Sequence, residues 1–159
     1  MTLYLFLHGE TYYSKHKIPY GKEAESAGII LEGVSKIKKI AIELNKERVK
    51  IIYSSPLKRC VQTMEIIQKE VPVIKVVYYQ GLEEEKVTRG LESLKELTQR
   101  IDTFLNEIKD SGLKKVGICS HGWPLAVMIS LLKKGTVNKF DLLNYPECGE
   151  LITTRNSVV

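Results

Sequence analysis

Short apolar runs alternate along the chain with amphipathic stretches of helical spacing, and few architectures accept that alternation. Leu3 to Leu7, Val49 to Tyr53, Val71 to Tyr79 and Val116 to Cys119 are each too short for a helix and rich in β-formers. Between them, Leu31 to Lys46 carries Val34, Ile37, Ile40 and Leu44 on one face. Ser54-Ser55-Pro56 opens a second helical stretch, with Ser55 as N-cap and Pro56 at the first helical position, and Leu57, Val61, Met64 and Ile67 line one side to about residue 70. The longest pattern, Leu91, Leu94, Leu97, Ile101, Phe104, Leu105 and Ile108, predicts a helix over 91–110. Pro124 to Lys133 predicts another. Residues 9–30 show no periodicity and read as a long loop over one edge, residues 81–90 as a charged turn, and residues 135–148 as a loop with one helical turn at Phe140 to Asn144. Glu150 to Thr154 adds a last strand. Strands alternating with helices predict a doubly wound α/β fold with a mostly parallel sheet and helices on both faces, here as one domain over residues 1–159.

The 159 residues are 43% apolar, enough to bury a core without staples. Cys60, Cys119 and Cys148 are an odd number at irregular gaps, which fits neither a disulfide framework nor zinc ligands and points to a reducing cytoplasm. The apolar N-terminus lacks a basic leader and runs into His8-Gly9, too short for a signal peptide or a membrane span. Net charge is +5, but bases are interleaved with acids along the predicted helices, as at Lys95, Glu96 and Arg100, and no run of five like charges marks a basic arm. The excess suits a small anionic substrate as much as nucleic acid and by itself implies neither; without a basic arm or an apolar span, neither nucleic acid nor a membrane is expected as a partner, and no feature fixes an oligomeric state.

In an open parallel sheet, ligands bind beyond the carboxyl ends of the strands. Those ends carry His8-Gly9-Glu10-Thr11, Ser54-Ser55-Pro56-Leu57-Lys58-Arg59, Glu83-Glu84-Glu85 and Ser120-His121-Gly122. Two of the three histidines therefore follow an apolar strand and precede a glycine that admits close approach of a ligand. Several phosphate chemistries are excluded by the letters. Gly21-Lys22 is followed by Glu23, so there is no P-loop. No cysteine has an arginine six places on, which removes the cysteine phosphatases. Asp102, Asp110 and Asp141 are isolated, leaving little for a magnesium site, and no Gly-x-Ser-x-Gly elbow occurs. No metal or cofactor is expected.

Taken together, Leu7-His8-Gly9-Glu10-Thr11, Ser54-Ser55-Pro56-Leu57-Lys58-Arg59-Cys60-Val61-Gln62-Thr63, Leu82-Glu83-Glu84 and Ser120-His121-Gly122 resemble the signatures of the histidine phosphatase, or phosphoglycerate mutase-like, superfamily over roughly residues 3 to 125. The Ser-Ser-Pro-Leu-x-Arg-x-x-Gln-Thr segment is the specific part. The resemblance implies His8 as a nucleophile that carries the phosphoryl group, Arg59 and His121 as phosphate ligands, and a Leu-x-Glu acid at Glu84. With three adjacent glutamates the register stays open, and one slip nominates Glu83 or Glu85. Gly9, Thr11, Ser55 and Gly122 are candidates for shaping the phosphate pocket, or are turn and cap residues. Arg59, at the start of a helix where the dipole disfavours a cation, is either an anion ligand or a side chain paired with Glu65 or Glu10.

One departure stands out: the family's Arg-His-Gly reads Leu7-His8-Gly9 here. Leucine supplies neither charge nor donor, so one phosphate clamp is missing. Lys15, His16 and Arg89 are the available substitutes. Three activities follow from the resemblance: a phosphatase acting on a small phosphate monoester or a phosphoprotein, a catalytically weak phosphate-binding domain, and, less in keeping with the chain's length, a mutase. Tyr12, Tyr13 and Tyr20 read as edge packing or as substrate contacts.

Overall fold

The computed structural model describes residues 1–86 and 90–155. Its centre is a five-stranded sheet in the order β3-β2-β4-β1-β5, built from β1 (Thr2–Leu7), β2 (Ile51–Ser54), β3 (Lys75–Tyr78), β4 (Lys115–Ser120) and β5 (Ile152–Arg155). The first four run parallel, and β5 lies antiparallel on β1. The helices are α1 (Tyr12–His16), α2 (Val34–Lys46), α3 (Lys58–Glu70), α4 (Leu94–Asp110) and α5 (Gly122–Lys134). This is the mostly parallel α/β fold that the alternation predicts.

The pleat of β1 explains why its sequence is apolar from Leu3 to Leu7, since successive side chains point to opposite faces and both are buried. Leu3, Leu5 and Leu7 enter one core with Leu97, Ile101, Phe104 and Met128 of α4 and α5. Tyr4 and Phe6 enter the other with Ile37, Leu44, Met64 and Ile67 of α2 and α3. Each buried Leu or Ile contributes about 1.5–3 kcal/mol of transfer free energy, so the two cores hold the central strands in fixed register. That register decides the site: Leu7 pairs with Ser120, and Ser54 with Cys119. The three strands thus end at one level, and the next residues, His8, Ser55 and His121, emerge side by side.

Several boundaries differ from the sequence reading, each for a local reason. Residues 9–30 are not one loop: Thr11 and Ser14 form a capping box that starts α1, and a 3₁₀ turn covers Gly21–Glu23. The long helix starts at Leu94 rather than residue 91, because Ser93 caps it and Glu96 closes the box, a feature worth about 1 kcal/mol. Helix α3 starts at Lys58 with Leu57 as its N-cap. Ser55 is not the cap; its Oγ instead accepts from Leu57 N at 3.3 Å, holding the turn before the helix. The β3 strand is shorter than 71–79, since Val71 and Ile74 bend into the core before Lys75. Among the described residues, no helix is long and apolar enough to cross a membrane.

Candidate functional site

At the end of β1, His8 N donates to Ser120 O at 3.2 Å, which binds the residue to the neighbouring strand. Its ring is 2% exposed, and Nδ1 lies 2.8 Å from Gly9 O. A carbonyl can only accept, so Nδ1 carries the proton and Nε2 keeps its lone pair. Burial, reinforced by the Arg59 guanidinium, pushes the imidazole down to about 3, so the ring is neutral near pH 7. Gly9 is fixed in turn by donating its N–H to Thr63 Oγ1 at 2.8 Å. A Cβ there would collide with Ile37 Cδ1, so the position accepts only glycine without repacking.

His121 caps α5 from the end of β4 and is fully buried, its ring centroid 5.3 Å from that of His8. Its Nε2 is 2.8 Å from Ser55 Oγ. Burial, then Arg59 and His8, hold its pKa well below the usual histidine range. Its Nδ1 is buried without a hydrogen-bond partner among the described residues and lies 3.9 Å from Glu84 Oε2. Gly122 lets Tyr145 lie close: a Cβ would press on that ring at 3.1 Å.

Arg59, in the first turn of α3, is the largest fully buried side chain. Its Nη1 donates to Ala24 O and its Nη2 to the Glu84 carboxylate. Nε has no partner among the described residues. The Tyr20 ring covers the guanidinium at 4.4 Å and stands edge-on to His8, centroids 6.3 Å apart. The partner of Arg59 is thus Glu84, not Glu65 or Glu10; Glu10 instead faces Lys36 at 3.7 Å. Glu84 also comes within 3.9 Å of His121 Nδ1, whereas Glu83 turns to Lys86 at 3.8 Å.

Of the sequence candidates, His8, Gly9, Ser55, Arg59, Glu84, His121 and Gly122 converge on one place. Thr11 sits nearby but is committed elsewhere: its Oγ1 caps α1 and meets Tyr20 OH at 2.8 Å. Leu7 is packed in the apolar core at 7% exposure. Neither Lys15 nor His16 takes the place of an arginine at position 7, because Lys15 pairs with Glu32 and His16 bonds Tyr12 O, both on the exposed surface. Arg89 lies outside the described residues. Sequence reasoning missed the stacking of Tyr20 on Arg59, and it gave Arg100 no role although that side chain is bound to Gly81 O and Glu84 O. The only advance signal for Arg100 was its place on the same helical surface as buried Leu97 and Ile101.

Among the described residues, no group of three or more His, Cys, Asp or Glu side chains is placed to hold a metal. A cavity of about 580 Å³, bordered by Gly81, Glu84, Lys86, Glu92 and Arg100, opens beside the carboxylate. A depression of about 850 Å³ near Leu94, Thr98 and Leu131 includes none of the site residues.

An open α/β sheet whose strand ends bring together two neutral imidazoles and a buried guanidinium defines a protein able to seat an anionic group. Family comparison agrees: the model described as histidine phosphatase superfamily (branch 1) matches residues 3–90 and 83–156, and the chain belongs to that superfamily. No curated protein matches the sequence. Among solved structures, YhfR of Bacillus stearothermophilus superposes with a TM-score of 0.77 at 18% identity, covering 96% of this chain and 89% of that one. A mycobacterial glucosyl-3-phosphoglycerate phosphatase, in complex with VO3, gives 0.77 at 16% identity over 96% and 90%. The phosphoglycerate mutase of Bacillus anthracis gives 0.66 at 17% identity over 87% and 83%. At these identities the likeness is one of fold.

Proposed function

We propose that the protein is a phosphatase that hydrolyses phosphate monoesters, on a small molecule or a phosphoprotein, through a phosphohistidine on His8. The observation that carries this reading is the 2.8 Å contact of the buried His8 Nδ1 with Gly9 O, which assigns the proton of the neutral ring to Nδ1 and leaves the lone pair on Nε2. The Nε2 lone pair attacks phosphorus while the bond to the leaving oxygen breaks. Two small displacements replace one large one. Arg59 Nε and His121 Nδ1, buried nitrogens without partners among the described residues, are the donors offered to the charge spread over the phosphoryl oxygens.

Glu84 protonates the leaving oxygen and, as carboxylate, next takes a proton from the water that attacks phosphorus. The phosphorus–nitrogen bond breaks, its electron pair returns to Nε2, and inorganic phosphate leaves. That carboxylate is the ion-pair partner of Arg59. An incoming phosphate competes for the same guanidinium, and crowding two anions there favours protonating Glu84. Thr11, Ser55, Gly9 and Gly122 shape the pocket around this chemistry without entering it.

Phosphatases among the fold neighbours support the reading; a mutase is among them as well. A catalytically weak phosphate-binding domain is favoured by one observation, the buried Leu7 where the family places an arginine. The full chain, assayed with a panel of phosphate monoesters and a chelator present, is expected to release inorganic phosphate, and His8→Ala to release none. Binding of inorganic phosphate without turnover of any monoester would select the weak binding domain instead.

A further inference from the structure

One side chain from α4 grips the loop that carries Glu84. Arg100 Nη1 donates to Gly81 O at 2.6 Å, and Nη2 donates to Glu84 O at 3.4 Å. Glu92 faces the same guanidinium with both oxygens, Oε1 at 2.5 Å from Nε and Oε2 at 3.1 Å from Nη2. That Oε2 also accepts from Lys86 N at 3.1 Å. A single bidentate ion pair therefore holds the backbone at residues 81, 84 and 86, on both sides of the Glu84 side chain. It is largely out of water, with Arg100 exposed by 23% and Glu92 by 11%, where such a fork is most directional. Its frame is rigid as well, because the Ser93–Glu96 capping box fixes the start of α4 between Glu92 and Arg100.

We propose that Arg100, braced by Glu92, is the positioning residue for proton transfer to the leaving group: it sets where the Glu84 carboxylate stands, acting through the loop backbone and not through the phosphate. Its four hydrogen bonds commit the guanidinium to the loop and to Glu92, so it is no substitute for the arginine missing at Leu7. The proposal rests on the reading of Glu84 as the acid. A carboxylate displaced by an ångström no longer meets the leaving oxygen, and a displacement of that size costs on the order of 100-fold in rate.

The test compares two substrates of similar shape, phenyl phosphate, whose leaving oxygen needs the proton, and p-nitrophenyl phosphate, whose leaving oxygen needs it little. Arg100→Ala is expected to slow phenyl phosphate about 100-fold and p-nitrophenyl phosphate by less than about threefold. Combined with Glu84→Gln it adds little further loss, because both changes remove the same step. Arg100→Lys, which keeps the charge and one contact, recovers part of the phenyl phosphate rate. Should Arg100→Ala fail to fold, Glu92→Gln loosens the same grip and gives the same pattern at smaller amplitude. Equal slowing of both substrates, or losses that multiply in the double variant, would overturn the proposal. If Glu84→Gln itself shows no preference between the substrates, the acid assignment falls and this one with it. If Glu84→Gln shows the preference and neither Arg100→Ala nor Glu92→Gln does, only the positioning role is lost.

Discussion

His8, Ser55 and His121 leave three adjacent parallel strands at one level, with the two histidines and Arg59 almost wholly buried. Glu84 arrives by a different route, on the loop after the Gln80–Leu82 turn, with its side chain 21% exposed and its backbone held by an arginine sixteen residues further on. The first half of the site is positioned by the sheet and two apolar cores. The second is positioned by a single ion pair. On the proposed reading such a site separates its duties: the half built on strand ends seats and attacks the phosphoryl group, and the half held on the loop handles the proton.

That contrast predicts two kinds of variant. Arg59→Ala and His121→Ala remove donors from the strand-end half and are expected to lower turnover by about two to three orders of magnitude whatever the leaving group. Steady-state rates on activated and unactivated monoesters check this, and a loss confined to poor leaving groups would erase the contrast. Glu84→Gln strikes the other half, and general acid catalysis puts its loss at about 100-fold or more for a poor leaving group and far less for a good one. The same differential in Glu83→Gln or Glu85→Gln would move the acid along the loop.

How much of this the sequence revealed follows the same division. Strand ends were legible because an unbroken apolar run such as Leu3 to Leu7 must be buried on both faces, and the residue after it must then stand at the carboxyl end of the sheet. His8 and His121 could be placed side by side for that reason alone. The register of Glu84 was not legible, since Glu83, Glu84 and Glu85 are chemically identical letters, and the contacts of Glu84 with Arg59 and Arg100 are formed only in space. Arg100 itself was hidden by its setting between Glu96 and Ile101 on a helix, where a cation ordinarily faces water. The segment 9–30 was opaque for another reason. Its order comes from the Thr11–Ser14 capping box and from Tyr20 on Arg59, contacts with no periodicity to detect.

A smaller effect sharpens the account of the strand-end half. Both histidines are held neutral in the folded state, His8 at about 3, so the unfolded chain binds protons that the native protein does not. The resulting loss of stability is absent above the unfolded histidine value of about 6.5 and grows as pH falls toward the folded value, at about 1.4 kcal/mol per pH unit for each ring. Melting temperatures between about pH 7 and pH 5 are expected to fall more steeply for the wild type than for His8→Ala. Parallel slopes would mean that His8 is not buried as a neutral ring.

The covalent step is tested most directly by intercepting the protein during turnover. After rapid mixing with p-nitrophenyl phosphate and quenching in base, intact mass and peptide mapping are expected to find one phosphoryl group, stable to alkali and labile to acid, on the peptide containing His8, and none in His8→Ala. Efficient hydrolysis with no such adduct at any time, or an adduct that persists in His8→Ala, would contradict the mechanism.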